Sequence, residues 1–92
     1  MTDLGHQLLL YEYVSDVVDR RGPYREAHLA RIRAERDAGR IVMAGALGDP
    51  PTGGAIVFRG VGPEHIEAFA HADPYVEAGL VTHWRVHPWS VV

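Results

Sequence analysis

The sequence predicts an α+β fold in which strands and helices follow one another in the order β-α-β-β-α-β. Three observations predict it. Four short apolar or aromatic runs are typical of strands, two longer segments have helix-forming content without an internal breaker, and glycine or proline separates the segments. With right-handed crossovers, this order gives a ferredoxin-like fold, a four-stranded antiparallel sheet with both helices on one face.

Each element is assigned from local signals. Pro23 suits the first turn of a helix and Gly39 suits a helix end. The segment 48–54 is rich in glycine and proline and is predicted as a loop, while Pro74 and Gly79 mark the exit from the second helix. The predicted elements are a strand over 7–14, a helix over 23–38, strands over 40–47 and 55–59, a helix over 63–72 and a strand over 80–87.

The first two predicted strands are apolar on both faces. Because the helices cover only one face of the sheet, the other face is expected to be a partner site. Two sheets packed face to face would form a dimer with closed two-fold symmetry, so we expect a homodimer. The alternating residues are Leu8, Leu10 and Val14 against Leu9, Tyr11 and Tyr13 in the first strand, and Ile41, Met43 and Leu47 against Val42, Ala44 and Ala46 in the second.

Composition excludes several classes of function. The chain has 92 residues, a net charge of −3, no cysteine and no lysine. A lysine nucleophile, a disulfide and a thiolate metal site are therefore excluded, and the acidic balance argues against a nucleic-acid partner. The N-terminus lacks the features of a signal peptide, and no apolar run approaches the ~20 residues that cross a bilayer. We therefore expect one cytoplasmic domain over residues 1–92, without a membrane partner.

A histidine and an aspartate from distant segments form the candidate site. Ile66, Phe69 and Asp73 are spaced i, i+3 and i+7, so a helix would place the Asp73 carboxylate on an apolar stripe. The two helices run antiparallel in the predicted fold, which brings His28 in the first helix towards Asp73 at the end of the second. Asp73 would orient the imidazole and stabilise its charged form, which suits general acid–base catalysis. The alternative is a buried bridge that ties the helices without turnover.

The remaining histidines give weaker signals. His83 and His87 lie four residues apart on a strand, ~13 Å, which is too far for one metal ion. We expect neither a metal nor another cofactor, and a metal site that includes His71 and Asp73 is the alternative. The histidines expected at the surface are His6, His65 and His71.

Four separated motifs occur in the order and at the spacing of a known family: Arg-Glu-Ala-His-Leu-Ala at 25–30, Ala-Gly-Arg at 38–40, Ala-Gly-Ala-Leu at 44–47 and Ala-Asp-Pro-Tyr at 72–75. They resemble the YCII-related (YciI-like) domain family over nearly the whole chain. The resemblance implies a dimeric α+β barrel of ferredoxin-like subunits, with a His28–Asp73 dyad in a small cleft. Many members of that family follow the glycine at position 45 with proline, where this chain has Ala46.

The resemblance also implies an activity. A dehydrochlorinase that acts on a chlorinated hydroxyhydroquinone is similar in fold and dyad, and the wider group includes cofactor-free monooxygenases and lactone isomerases. We expect elimination or isomerisation of a small, aromatic or polar cyclic metabolite by His28 and Asp73. Arg25, Tyr75 and Tyr11 are the candidate substrate-binding residues. The alternative for the aromatic residues is that they pack in the core or at an interface. The alternative is a non-catalytic dimer that binds a small molecule or has a structural role only.

Overall fold

The computed structural model describes residues 5–92 and has the predicted order of strands and main helices, with two additional short helices. The elements are β1 (His6–Tyr13), α1 (Val17–Arg20), α2 (Gly22–Asp37), β2 (Ile41–Leu47), β3 (Gly53–Arg59), α3 (Pro63–His71), α4 (Pro74–Glu77) and β4 (Val81–Trp89). The sheet is antiparallel, with strand order β2-β3-β1-β4. α2 packs over β2 and α3 over β4. The ferredoxin-like α+β fold is therefore confirmed.

The core lies between the helices and one face of the sheet. Leu9 of β1 and Phe58 of β3 are fully buried and pack with Ile66 of α3. The Phe58 ring meets the Phe69 ring edge-on, with centroids 5.4 Å apart. α2 contributes less to this core, because His28, which is 6% exposed, is the buried residue among its sixteen. A histidine therefore occupies the position where a large aliphatic side chain would usually fill the space under a helix.

The face of the sheet opposite the helices is also apolar, as predicted. Its register pairs Leu8 with Val57 and Leu10 with Ala55. Met43 also pairs with Val57, and its side chain is 63% exposed. This face therefore presents a continuous apolar surface across three strands.

One prediction about the faces of the second strand is wrong, because the register of β2 shifts within the strand. Ile41 and Met43 were expected on the same side of the second strand, but the pairing of β2 with β3 shifts between them. Ile41 pairs with Phe58 and is buried in the core, whereas Met43 pairs with Val57 on the open face. An irregular residue in a strand reverses the alternation of side chains that follows it.

Two predicted strand boundaries are wrong. Gly53 and Gly54 were expected in the loop, but they begin β3 and pair with β1. Glycine is required at position 53, because a Cβ atom there would collide with the carbonyl oxygen of Tyr11. The last strand continues through Pro88 to Trp89. β4 is an edge strand, where proline is tolerated.

The second main helix ends earlier than predicted. α3 ends at His71, and Asp73 instead begins α4 as its N-cap, with φ −68° and ψ 126°. Asp73 therefore shares no helical stripe with Ile66 and Phe69. The following proline disfavours helical geometry at position 73, and the Asp73 side chain accepts a hydrogen bond from the backbone N–H of Tyr75. The carboxylate is nevertheless buried, with 0% exposure.

Within residues 5–92, no helix is both long enough and apolar enough to span a lipid bilayer. In the same part of the chain, no three histidine, aspartate or glutamate side chains are grouped so that they could hold a metal ion. The cytoplasmic location and the single domain expected from the sequence stay predictions.

Candidate active site

The Asp73 carboxylate is the centre of a buried hydrogen-bond cluster. The Tyr11 hydroxyl donates to Oδ2 at 2.7 Å, and the backbone N–H of Tyr75 donates to Oδ1 at 2.9 Å. Nδ1 of His28 lies 2.8 Å from Oδ1 and 3.0 Å from Oδ2. These contacts join β1, α2 and the start of α4. The cluster therefore brings His28 and Asp73 together, as the antiparallel order of the helices predicts.

The contact with Asp73 assigns the tautomer of His28. An ionised carboxylate only accepts hydrogen bonds, so Nδ1 carries the hydrogen that it donates. In the neutral ring Nε2 is then an acceptor. Nε2 makes no hydrogen bond within residues 5–92. It is not an enclosed atom either, because the enclosed side-chain atom without a partner in that range is Gln7 Oε1. Since His28 lines a cavity, Nε2 is accessible from that cavity.

Aromatic rings hold the imidazole in place. The His28 and Tyr75 rings are stacked, with centroids 3.8 Å apart and planes 5° apart. The Tyr13 ring meets Tyr75 edge-on at 6.0 Å and lies 6.4 Å from the Tyr11 ring. The imidazole is therefore fixed by a hydrogen bond at Nδ1 and by stacking on its face.

A cavity of about 200 Å³ lies between α2 and the β2 side of the sheet. Leu29 and Ile32 of α2 form one wall, and the small residues Ala44, Gly45 and Ala46 of β2 form another. Because β2 has no large side chain at these positions, the space beside His28 stays open. An apolar cavity of roughly 150 Å³ is known to admit benzene, so this volume suits one substituted ring.

Two arginines at this cavity carry uncompensated charge. Arg21 and Arg25 line it, and within residues 5–92 no carboxylate lies within 4.0 Å of either guanidinium group. Burial raises the pKa of the Tyr75 hydroxyl, and the charges of Arg21 and Arg25 oppose that rise. The cavity therefore combines an apolar interior with positive charge, which suits a small anion. Among the other arginines, Arg20 pairs with Asp16, Arg33 with Glu26, Arg36 with Asp37 and Arg40 with Glu35.

The tyrosine hydroxyls around Asp73 keep their protons at neutral pH. Burial raises the pKa of Tyr11 far above its ordinary value, and the charge of Asp73 and the hydrogen bond to it add to the effect. Burial, with the nearby Tyr75 and Asp73, raises the pKa of Tyr13 to about 12. Both hydroxyls are therefore hydrogen-bond donors under physiological conditions.

Comparison with known proteins identifies the family. The model of the YCII-related domain matches residues 7–90. The chain belongs to the YCII-related domain family. Protein YciI of Escherichia coli O6:H1 and Protein YciI of Shigella flexneri are each 36% identical to it over 87 residues, covering 85% of this chain and 89% of each relative.

A solved structure has the same fold. It is 5-chloro-2-hydroxyhydroquinone dehydrochlorinase from Burkholderia phenoliruptrix AC1100, in complex with 2,5-dihydroxybenzoquinone. The TM-score is 0.78 at 20% sequence identity, over 92% of this chain and 93% of that chain. At this identity the likeness shows the fold of the YCII-related domain and leaves its activity open.

Four of the five residues chosen from the sequence line one cavity in this YCII-related domain, and Asp73 contacts His28 without lining the cavity itself. His28 and Asp73 form the buried pair, and Tyr75 stacks on His28. Arg25 lines the cavity. Tyr11 also lines it, but its hydroxyl is engaged by Asp73. Tyr11 therefore has only its ring free to contact a molecule in the cavity.

Two residues that line the cavity were not among the candidate substrate-binding residues chosen from the sequence. Tyr13 shares a strand face with Tyr11, and that alternation was the available signal for it. Arg21 lies four residues before Arg25 at the start of α2, a spacing that places both on one side of a helix. Ala46 lies in β2, within the strand predicted over 40–47.

The other histidines have different surroundings. His65, expected at the surface, is partly enclosed, with Nε2 3.1 Å from the Glu35 carboxylate and its ring edge-on to Phe58. His71 is exposed, and its ring meets Trp84 edge-on at 5.2 Å. Neither ring lines the cavity beside His28.

Proposed function

We propose that this YCII-related domain is a cofactor-independent enzyme in which His28 moves a proton and Asp73 orients His28. The reaction is an elimination or an isomerisation of a small cyclic compound. The observation that supports this most directly is the environment of the His28 ring, whose Nδ1 is held by Asp73 while Nε2 is accessible from a cavity. A bridge with only a structural role needs no open space at Nε2.

The proposed substrate is a single ring with an anionic or acidic oxygen substituent. The cavity volume of about 200 Å³ supports one ring, and the charges of Arg21 and Arg25 support an anion. The dehydrochlorinase that shares this fold is solved with 2,5-dihydroxybenzoquinone, a ring with hydroxyl and carbonyl oxygens. This likeness supports a hydroxylated or quinonoid ring as the first class to screen.

In the proposed reaction, neutral His28 accepts a proton from the substrate through Nε2. The Asp73 carboxylate, 2.8 Å from Nδ1, then stabilises the imidazolium ion. In an isomerisation the imidazolium returns the proton to a different substrate atom. In an elimination the electron pair released from the broken bond forms a double bond and expels a leaving anion.

Incubation of the protein with a panel of hydroxylated rings, hydroxyquinones and cyclic carboxylates, followed by NMR, tests the proposal. We expect at least one compound to be consumed by the wild-type protein, and His28→Asn to lower that rate by about 10²–10⁴-fold. His71→Asn, at an exposed position on α3, is the matched control and is expected to keep the wild-type rate. Binding of these compounds without any product would contradict the proposal.

A small-molecule-binding protein without turnover is the second candidate. Asp73 caps α4 and accepts three hydrogen bonds, so it also has a structural role in the fold. Under this alternative, His28→Asn and Asp73→Asn both weaken ligand binding and lower the free energy of unfolding. No product forms with either variant or with the wild-type protein.

We also propose that two copies pack through the apolar faces of their sheets. Leu8, Leu10 and Val57 lie at the centre of that face, on neighbouring strands. Sedimentation at micromolar concentration should give twice the 10.2 kDa mass of the chain. Leu10→Arg should shift the mass to that of the monomer, while Val18→Arg, at an exposed position on α1, should not. A monomeric wild-type protein would contradict this proposal.

A further inference from the structure

Tyr13 lines the same cavity as His28. The Tyr13 ring lies edge-on to Tyr75 at 6.0 Å, and Tyr75 stacks on His28 at 3.8 Å, so Tyr75 lies between the two. The Tyr13 hydroxyl makes no hydrogen bond within residues 5–92, and it is not an enclosed atom. The hydroxyl of Tyr11, by contrast, donates to Asp73. Tyr13 therefore has a donor available to a ligand, and Tyr11 does not.

Gly54 makes room for the Tyr13 hydroxyl. A Cβ atom built at position 54 would lie 2.7 Å from the Tyr13 Oη and 3.6 Å from the carbonyl oxygen of Gly45. The hydroxyl therefore lies over β3, next to the stretch of β2 that lines the cavity. Neither Gly54 nor Gly45 has a side chain that could cover the Tyr13 hydroxyl, so this hydroxyl faces open space.

The hydroxyl is a donor throughout the physiological range. Burial first, and then the neighbouring Tyr75 and Asp73, raise the pKa of Tyr13 to about 12. A protonated phenol that faces an apolar cavity stabilises a developing oxygen anion more strongly than water does, because it is already oriented. No reorganisation is needed when the charge forms.

We propose that the Tyr13 hydroxyl donates a hydrogen bond to the oxygen anion that forms on the substrate when His28 removes a proton. This inference rests on the proposed function, and it narrows the substrate class to hydroxy- or oxo-substituted rings that ionise to a phenolate or an enolate. The electron pair that remains after the proton leaves is delocalised onto the oxygen substituent of the ring. Tyr13 donates to that oxygen without losing its proton, and the anion is discharged when His28 returns the proton or a leaving group departs.

Binding of 4-nitrophenol, whose ionised form absorbs visible light, tests the inference without turnover. The wild-type protein should bind 4-nitrophenolate more tightly than neutral 4-nitrophenol, so the bound probe should ionise at a lower pH than the free probe. Tyr13→Phe should lose about 10–100-fold in affinity for the anion, the usual range for one hydrogen bond to a charged group, and less than about 2-fold for the neutral form. Tyr24→Phe, half-exposed on α2 and outside the cavity, is the matched control.

A second variant keeps the test decisive if Tyr13→Phe does not fold. Site-specific replacement of Tyr13 by 3-fluorotyrosine keeps the ring and makes the hydroxyl a stronger donor. This replacement should increase the affinity for 4-nitrophenolate. Unchanged affinity for the anion in either variant would overturn the inference, as would a wild-type protein that does not prefer the anion.

The two proposals fail in different ways. Turnover that requires His28 but proceeds equally well in Tyr13→Phe would overturn the inference alone. Loss of the preference for the anion in Tyr13→Phe, with no compound consumed by the wild-type protein, would overturn the enzymatic function and leave Tyr13 as the donor to a bound anion.

Discussion

The rings of His28 and Tyr75 are parallel to within 5°, with centroids 3.8 Å apart. The backbone N–H of Tyr75 also donates to Oδ1 of Asp73 at 2.9 Å. One residue therefore contacts both members of the His28–Asp73 pair, His28 through its ring and Asp73 through its main chain. The geometry of the pair depends on where α4 begins.

Substitution of Tyr75 separates its ring from its hydroxyl. Tyr75→Phe keeps the stacked ring and the backbone donor, so the free energy of unfolding should stay within about 1 kcal/mol of the wild-type value. Tyr75→Leu removes the stack on His28 and should cost at least a further 0.5–1.5 kcal/mol, roughly the value of an aromatic pair. Urea denaturation measures both. Equal stabilities of the two variants would show that the stack contributes nothing.

Substitution of Asp73 by asparagine should alter the tautomer of His28. Three donors converge on the carboxylate, and a carboxamide offers one acceptor oxygen and an N–H₂ donor in its place. While Nδ1 of His28 keeps its hydrogen, at least one buried donor is left unsatisfied, at a cost of about 1–3 kcal/mol, and this cost favours the tautomer whose Nδ1 accepts from the carboxamide. The ¹⁵N chemical shifts of the His28 ring should indicate the Nδ1–H form in the wild-type protein and a mixture in Asp73→Asn. Asp49→Asn, at an exposed loop position, is the control.

Two glycines that face different surroundings should respond differently to alanine. In Gly54→Ala the new methyl group lies 2.7 Å from the Tyr13 hydroxyl, so the tyrosine must move, and we expect a cost of about 1–3 kcal/mol. In Gly45→Ala nothing lies within 4 Å of the new methyl group, so the change should stay within about 0.5 kcal/mol. Urea denaturation compares them. Equal effects would contradict the placement of the Tyr13 hydroxyl.

Stability should fall at alkaline pH because of the buried tyrosines. Tyr13 ionises at its ordinary value of 10.0 in the unfolded chain and at about 12 in the folded protein. The unfolded state therefore loses its proton first, and the stabilising contribution is complete below pH 10 and is lost as the pH rises towards 12. The decline in unfolding free energy between about pH 10 and pH 12 should be shallower in Tyr13→Phe. Tyr24→Phe should decline as the wild-type protein does.

Glu35 should contribute stability that is lost in acid. Burial raises the pKa of the Glu35 carboxyl, but hydrogen bonds from Arg40 and His65 outweigh burial and lower it overall. A lowered pKa stabilises the fold above the unfolded value of 4.5, and this contribution is lost as the pH falls. Glu35→Gln should therefore cost roughly 1 kcal/mol at neutral pH and progressively less below about pH 4. Glu67 is exposed on α3, so Glu67→Gln should lower the free energy of unfolding by less than Glu35→Gln does at neutral pH and in acid.

The fold and the central pair were predictable because both follow from the order of elements. Antiparallel helices in a β-α-β-β-α-β chain bring the start of one to the end of the other, so His28 and Asp73 meet. The conformation of Asp73 was predicted wrongly. The spacing of Ile66, Phe69 and Asp73 matches a helical stripe, but the proline after Asp73 ends that pattern and makes the aspartate a cap.

The surroundings of Tyr13 were beyond prediction from local signals. The position of the Tyr13 hydroxyl depends on the space at Gly54. The composition of the segment 48–54 predicts a loop at Gly54, whereas Gly54 lies in β3. Which residue lies beside which on neighbouring strands is set by register, and register depends on packing across the whole sheet. The face reversal between Ile41 and Met43 has the same origin.

The dual role of Asp73 has a consequence for how this protein diverges over evolutionary time. A mutation that replaces the carboxylate must supply a new cap for α4 and a new partner for Tyr11 in the same step. Arg21 and Arg25 have no acidic partner within residues 5–92, so they can change singly. Under the proposed function, selection can therefore alter which compound is recognised through single substitutions, while the proton transfer by His28 and Asp73 is retained with the fold.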